Sequence, residues 1–71
     1  MSGYKYKNTK EVEKILRKKF EKHNSVYILF NEGAIEITNF FVSEYRVYLM
    51  HSGIQIGYID YRSITGIYPF D

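Results

Sequence analysis

No cysteine occurs anywhere in this chain, which excludes disulfides and thiolate zinc sites at the outset. Histidine is nearly as scarce: His23 and His51 are the only two, and their separation matches no metal-ligand spacing. No metal and no cofactor are therefore expected. Apolar runs stay well short of the roughly 18 residues that cross a bilayer, and the N-terminus lacks the hydrophobic region of a signal peptide. A cytoplasmic protein without membrane contact is the resulting expectation. Gly33, Gly53, Gly57 and Gly66 stand isolated, so no glycine-rich loop cradles a phosphate between a strand and a helix. At 71 residues the chain is expected to form one domain, 1–71, burying only about 60% of the surface its unfolded form exposes. Domains this small lean on disulfides, a metal or further copies of themselves. With the first two excluded, homo-oligomerisation is the expected staple.

What is present is unevenly distributed. Residues 1–24 hold eight of the ten basic side chains against three acidic ones, a net +5. Residues 25–71 hold only Arg46 and Arg62 against five acidic ones, a net −3, yet carry six of the eight tyrosines. The basic part has a polar lead-in, residues 1–7, expected to fray, and then one amphipathic helix pattern over 8–24. Asn8 can cap it, Glu11 stands at capping-box spacing, and Val12, Ile15, Leu16 and Phe20 share one face. Lys10, Lys14, Arg17, Lys18 and Lys22 occupy much of the remainder. Such a face can steer polyanions, although Lys18, Lys19, Lys22 and His23 equally suit the negative end of the helix dipole. Asn24 is expected to stop the helix in a left-handed conformation.

From Ser25 onward the apolar period changes from helical to alternating. Val26, Ile28 and Phe30 mark a first strand, followed by a turn at Asn31-Glu32-Gly33. A long second strand is predicted over 34–42, and Ser43-Glu44 turns into a third over 45–50. After His51-Ser52-Gly53, a fourth strand covers 54–60, with Gly57 marking a bend or bulge. Tyr61-Arg62-Ser63 connects to a short fifth strand, 64–68, ended by Pro69. Connections of two to four residues make successive strands antiparallel neighbours, since a parallel crossover needs a dozen residues or more. The predicted fold is α+β and mainly β: an N-terminal helix, then a five-stranded, strongly bent antiparallel barrel (25–71) of the SH3-like or Sm-like kind.

No catalytic residue is expected. Ser25, Ser43, Ser52 and Ser63 each fall at a turn, where local hydrogen bonding explains them. His51 stands beside Ser52, but neighbours on a strand point to opposite faces. Binding is the stronger pattern. Tyr45, Tyr48, Tyr58, Tyr61 and Tyr68 exceed what so small a core can bury with every hydroxyl satisfied. Interleaved with Arg46 and Arg62, they suit stacking on unpaired bases. The same tyrosines also suit cross-strand pairs or a subunit interface.

The segment Tyr61-Arg62-Ser63-Ile64-Thr65-Gly66-Ile67-Tyr68-Pro69 resembles the closing segment of the bacterial Sm-like RNA chaperones of the Hfq family. There a Lys-His pair precedes Ala-Ile-Ser-Thr, an apolar pair and proline. Tyr45-Arg46-Val47-Tyr48-Leu49 is similar to that family's third strand, and residues 26–31 to its first. The resemblance covers residues 9–69, with a short insertion near His51. It implies an RNA-binding hexameric ring with a uridine pocket on the helix-bearing face. In that pocket Tyr45 supplies the stacking ring, and Tyr61 and Arg62 replace the Lys-His pair. Asp60 stands for a tyrosine, Glu32 for a glycine that here comes one place later as Gly33, and Ser43 for an aspartate. Ile28 and Gly33 fall where the family stacks purines on its opposite face, which argues against A-rich ligands.

The resulting expectation is a non-enzymatic, RNA chaperone-like protein in a homo-oligomeric ring, hexameric if Sm-like. Single-stranded RNA would bind at Tyr45, Tyr61 and Arg62, with Lys10, Lys14, Arg17, Lys18 and Lys22 attracting phosphates. The alternative is a small protein-interaction module on an SH3-like barrel, a phage- or plasmid-type adaptor or inhibitor whose tyrosines meet a protein partner. A PH-like domain ranks last, because the chain is too short for seven strands.

Overall fold

Asn8 is extended (φ −165°, ψ 176°), and its side-chain oxygen accepts from the Glu11 N–H at 2.9 Å, starting helix α1 at Thr9–Phe20. This is the predicted cap with one change. Glu11 Oε1 accepts from the Lys7 N–H at 2.6 Å, one residue before the cap. Val12 and Leu16 are fully buried, and Thr9 Oγ1 donates to the Glu44 carbonyl at 2.6 Å, fastening the helix start to the strands. The helix ends four residues before the predicted Asn24. Beyond Phe20, Glu21 and Lys22 are exposed and turn the chain, with no apolar side chain to prolong the buried stripe. Asn24 is not left-handed; the described non-glycine residues with positive φ are Glu44 (55°) and Ser52 (54°). Residues 4–70 are described in this computed structural model. The predicted fraying of 1–7 fails at Tyr6, which is only 7% exposed and packs into the core. Residues 1–3 of that lead-in lie outside the described residues.

Six strands follow: β1 (Val26–Phe30), β2 (Gly33–Ile37), β3 (Asn39–Ser43), β4 (Arg46–His51), β5 (Ile54–Asp60) and β6 (Ile64–Pro69). They form two antiparallel three-stranded sheets, ordered β2-β1-β6 and β3-β4-β5. The predicted second strand is thus two strands divided at Thr38, and neither sheet closes into the expected five-stranded barrel. The physical reason lies at Thr38 itself. Its N–H donates to the Met50 carbonyl and its Oγ1 accepts from the Ser52 N–H, both at 2.8 Å. These bonds fasten the bend to the opposite hairpin, so residues before it pair with β1 and residues after it pair with β4.

Side chains from the lead-in, the helix and four strands meet in one cluster: Tyr6, Val12 and Leu16, then Val26, Ile28 and Ile37, then Val47, Leu49, Ile64 and Ile67, with Phe40 and Val42 of β3 and Ile59 of β5 packed against it. The radius of gyration is 11.1 Å. That matches the roughly 11 Å expected of a folded chain this long. Opposite Leu49 and Met50 the pairing slips by one residue, leaving Ile56 unpaired beside Gly57, whose φ of 155° favours glycine. The predicted bulge is therefore present. Its consequence is a change of phase along β5: Tyr58 turns outward beside Tyr48 and Ile59 packs inward opposite Val47, whereas Ile54, before the bulge, pairs with His51 and does not share the face of Tyr58. Ile54, Ile56 and Tyr58 are 66%, 45% and 53% exposed.

Candidate functional site

β5 ends at Asp60, whose Oδ1 accepts from the Arg62 N–H at 2.9 Å and so caps a single 3-10 turn, Tyr61–Ser63. The same carboxylate takes two side-chain bonds from Arg62, Nε to Oδ1 at 2.9 Å and Nη2 to Oδ2 at 2.5 Å. A forked pair of this kind fixes the guanidinium plane. The Arg62 hydrogen bond holds the Asp60 carboxyl below its ordinary range, against a smaller opposing effect of burial. Arg62 is pushed up in turn, first by that hydrogen bond and then by the Asp60 charge. The Tyr61 N–H donates to the Tyr45 carbonyl at 3.0 Å, which joins this turn to the start of β4. The Arg62 guanidinium carbon consequently sits 5.4 Å from the Tyr45 ring centre and 5.8 Å from that of Tyr61. Tyr45, Tyr61 and Arg62, the three residues singled out from the strand half, therefore come together.

Tyr45 faces a second cation. Arg46 lies 5.7 Å from its ring centre and 4.7 Å from that of Tyr58. Strand register explains the grouping, because Phe41 is opposite Tyr48, Tyr48 opposite Tyr58, and Arg46 opposite Asp60. All of these point away from the core. The Phe41 and Tyr48 rings stack at 4.7 Å and 6°, and Tyr48 meets Tyr58 at 5.6 Å and 47°. Arg46 Nη1 reaches the Tyr48 hydroxyl at 3.5 Å, and that contact leads the causes pushing its pKa up. The sequence marked Tyr48 and Tyr58 among tyrosines too numerous to bury, interleaved with Arg46, without assigning any of the three to the site, and gave no sign of Phe41. The missing signal was the register of three strands, which two turns and a bulge determine together.

The helix cations do not converge on this place. From the Thr9 anchor beside Glu44, a rise of about 1.5 Å per residue carries Arg17 roughly 12 Å along the axis. There its guanidinium lies 5.6 Å over the Phe40 ring and pairs with Glu13 at 2.8 Å. Lys10, Lys14 and Lys18 are exposed along the helix, and Lys22 lies in the turn after it. Only Lys10 is next to the anchor. At the far end, Arg17, Phe20, Asn24, Asn39 and Phe40 border an open groove of about 570 Å³.

His51 and Ser52 correct another expectation. Their side chains meet, Ser52 Oγ to His51 Nδ1 at 3.0 Å, because Ser52 has left the strand for a left-handed turn. Glu36 lies 3.8 Å from His51 Nε2, beyond hydrogen-bond distance. The Ser52 N–H is committed to Thr38 and is not available to a developing oxyanion. The group clasps a turn. Among the described residues no cluster of three or more metal-ligating side chains occurs, and no helix is long and apolar enough to cross a membrane. Comparison of the chain with protein-family models, curated proteins and solved structures finds no match.

Proposed function

We propose that this chain is a non-enzymatic, divergent Sm-like protein of the Hfq type that binds single-stranded RNA at Tyr45, Tyr61 and Arg62. The observation that carries the reading is the Arg62 guanidinium, fixed by Asp60 within 5.4 and 5.8 Å of the Tyr45 and Tyr61 ring centres, with Tyr45 44% exposed. Rings and a guanidinium plane in one surface suit an unstacked base. Since Asp60 neutralises Arg62, Arg62 contributes a plane and residual N–H donors. Lys10, beside the Thr9 anchor, is the helix cation nearest the site, while Lys14, Lys18, Lys22 and the Glu13-paired Arg17 attract phosphates only farther along the strand. The chain path supports the Sm-like part. β1 lies between β2 and β6, and a sharp bend at Thr38 passes the chain into the second sheet, as in a barrel whose second strand is strongly bent. β5 and β6 each end a sheet. A ring of copies joined by pairing β5 to the neighbour's β6 covers these two edges.

Filter binding of U-rich and A-rich oligomers at two salt concentrations tests the proposal. The expected outcome is micromolar or tighter binding of the U-rich strand that weakens steeply with salt. Absence of binding at low salt overturns it. One observation favours the protein-interaction reading instead: Ile54, Ile56 and Tyr58 of β5 are all exposed. Recovery of a single protein partner that survives nuclease treatment, together with no RNA binding, decides for that reading.

A further inference from the structure

We infer that the RNA surface continues from Tyr45 across the outer face of β3, β4 and β5, where Arg46, Tyr58, Tyr48 and Phe41 form a second stacking subsite for the same strand. The inference rests on the RNA-binding reading and adds to it a path and a division of roles between two arginines. Arg46 is the link, 5.7 Å from the Tyr45 ring and 4.7 Å from that of Tyr58. The row then runs through Tyr48 at 5.6 Å to Phe41 at 4.7 Å. Phe41 and Tyr58 remain 45% and 53% exposed. A contiguous exposed surface of this kind marks an interaction face.

Charge decides the occupant. The face carries Arg46, Arg62 and Asp60, and Asp60 is held by Arg62 in a bidentate pair, so the outward charge is that of Arg46. Arg46 makes one side-chain hydrogen bond, at 3.5 Å, which leaves most of its five donors for a phosphate or a base edge. An apolar protein surface laid here would bury that cation without a counter-charge of its own. A polyanion whose repeating unit is a flat ring matches both features, and single-stranded nucleic acid is that polymer. Arg62 thus serves as a plane and Arg46 as the charge.

The experiment is fluorescence anisotropy with end-labelled oligouridines of about 4 and about 16 nucleotides, which bracket the site sizes of small single-strand binders. Tyr58→Ala and Phe41→Ala are each expected to weaken the longer strand about tenfold and to leave the shorter one unchanged. Tyr58→Phe keeps the ring and retains wild-type affinity. Arg46→Ala reduces the salt slope of the longer strand by about 0.7. Circular dichroism establishes that each variant is folded. If the wild type binds neither oligomer, the RNA reading and its extension both fall. If Tyr45→Ala abolishes binding while Tyr58→Ala and Phe41→Ala change neither affinity, the reading stands and the extension alone is overturned. Unchanged affinity with a fall in native mass for Tyr58→Ala assigns the face to contact between copies and likewise overturns the extension.

Discussion

Asp60 caps a backbone turn and holds a guanidinium plane with one carboxylate, and the two roles separate chemically. An amide in its place keeps the oxygen that accepts from the Arg62 N–H but loses the charge. Asp60→Asn is therefore expected to leave the turn intact and release Arg62 as a free cation. RNA binding would then gain about 0.7 in salt slope, read from affinities across a salt series. The pH sign follows from the lowered carboxyl: its contribution is present above the ordinary value of 3.8 and is lost as pH falls through the folded value. Tyr6 shows the opposite sign. Burial, then Tyr68 and Glu11, push its hydroxyl above 10.0, so its contribution is complete below that pH and disappears as pH rises through the folded value. Tyr6→Phe keeps the buried ring and removes this ionisation. Thermal melts near neutrality and above pH 10.0 are expected to differ less for the variant than for the wild type.

At the scale of elements, α1 was the most legible part, because its cap and stripe are local. Asn8→Ala tests the cap: loss of the bond to the Glu11 N–H is expected to cost about 1 kcal/mol, measured by urea denaturation. Its end was less legible, since charge continues past Phe20 while the buried stripe does not. The break at Thr38 was written in the chain but easy to pass over. Ile35 and Ile37 face the core at odd positions, whereas Phe40 and Val42 do so at even ones. A strand keeps one phase on a face, so that shift of one residue is the break. β5 misleads for the converse reason. Its most apolar alternation, Ile54, Ile56 and Tyr58, is exposed rather than buried: pairing of Ile59 with Val47 sends Tyr58 outward, and the bulge at Ile56 puts Ile54 out of phase with it. The candidate site inherits the same limit. Tyr45, Tyr61 and Arg62 were found through a local segment, whereas Arg46, Tyr48, Tyr58 and Phe41 became neighbours only through long-range register.

For the molecule as a whole, one hydrophobic core coexists with two sheets that end in open strands. Unpaired edges with apolar side chains are an aggregation hazard unless they are charged, bulged or covered. β6 carries Pro69 at its end, and β5 carries a bulge but no charge between Ile54 and Ile59. Of these two edges β5 is the less protected and is the one the proposed ring would cover, and Ile54, 66% exposed, stands at its start. Within a single chain, a lysine at so exposed a position changes stability by no more than about 0.5 kcal/mol. In a ring joined through β5, the same lysine places a charge in every interface. Ile54→Lys is thus expected to reduce the native mass to that of one chain while the urea midpoint of the isolated chain stays put. A wild type that already has the mass of one chain, or a variant that keeps the assembly's mass, removes the ring from the proposal and leaves the stacking site to be judged by its RNA affinity alone.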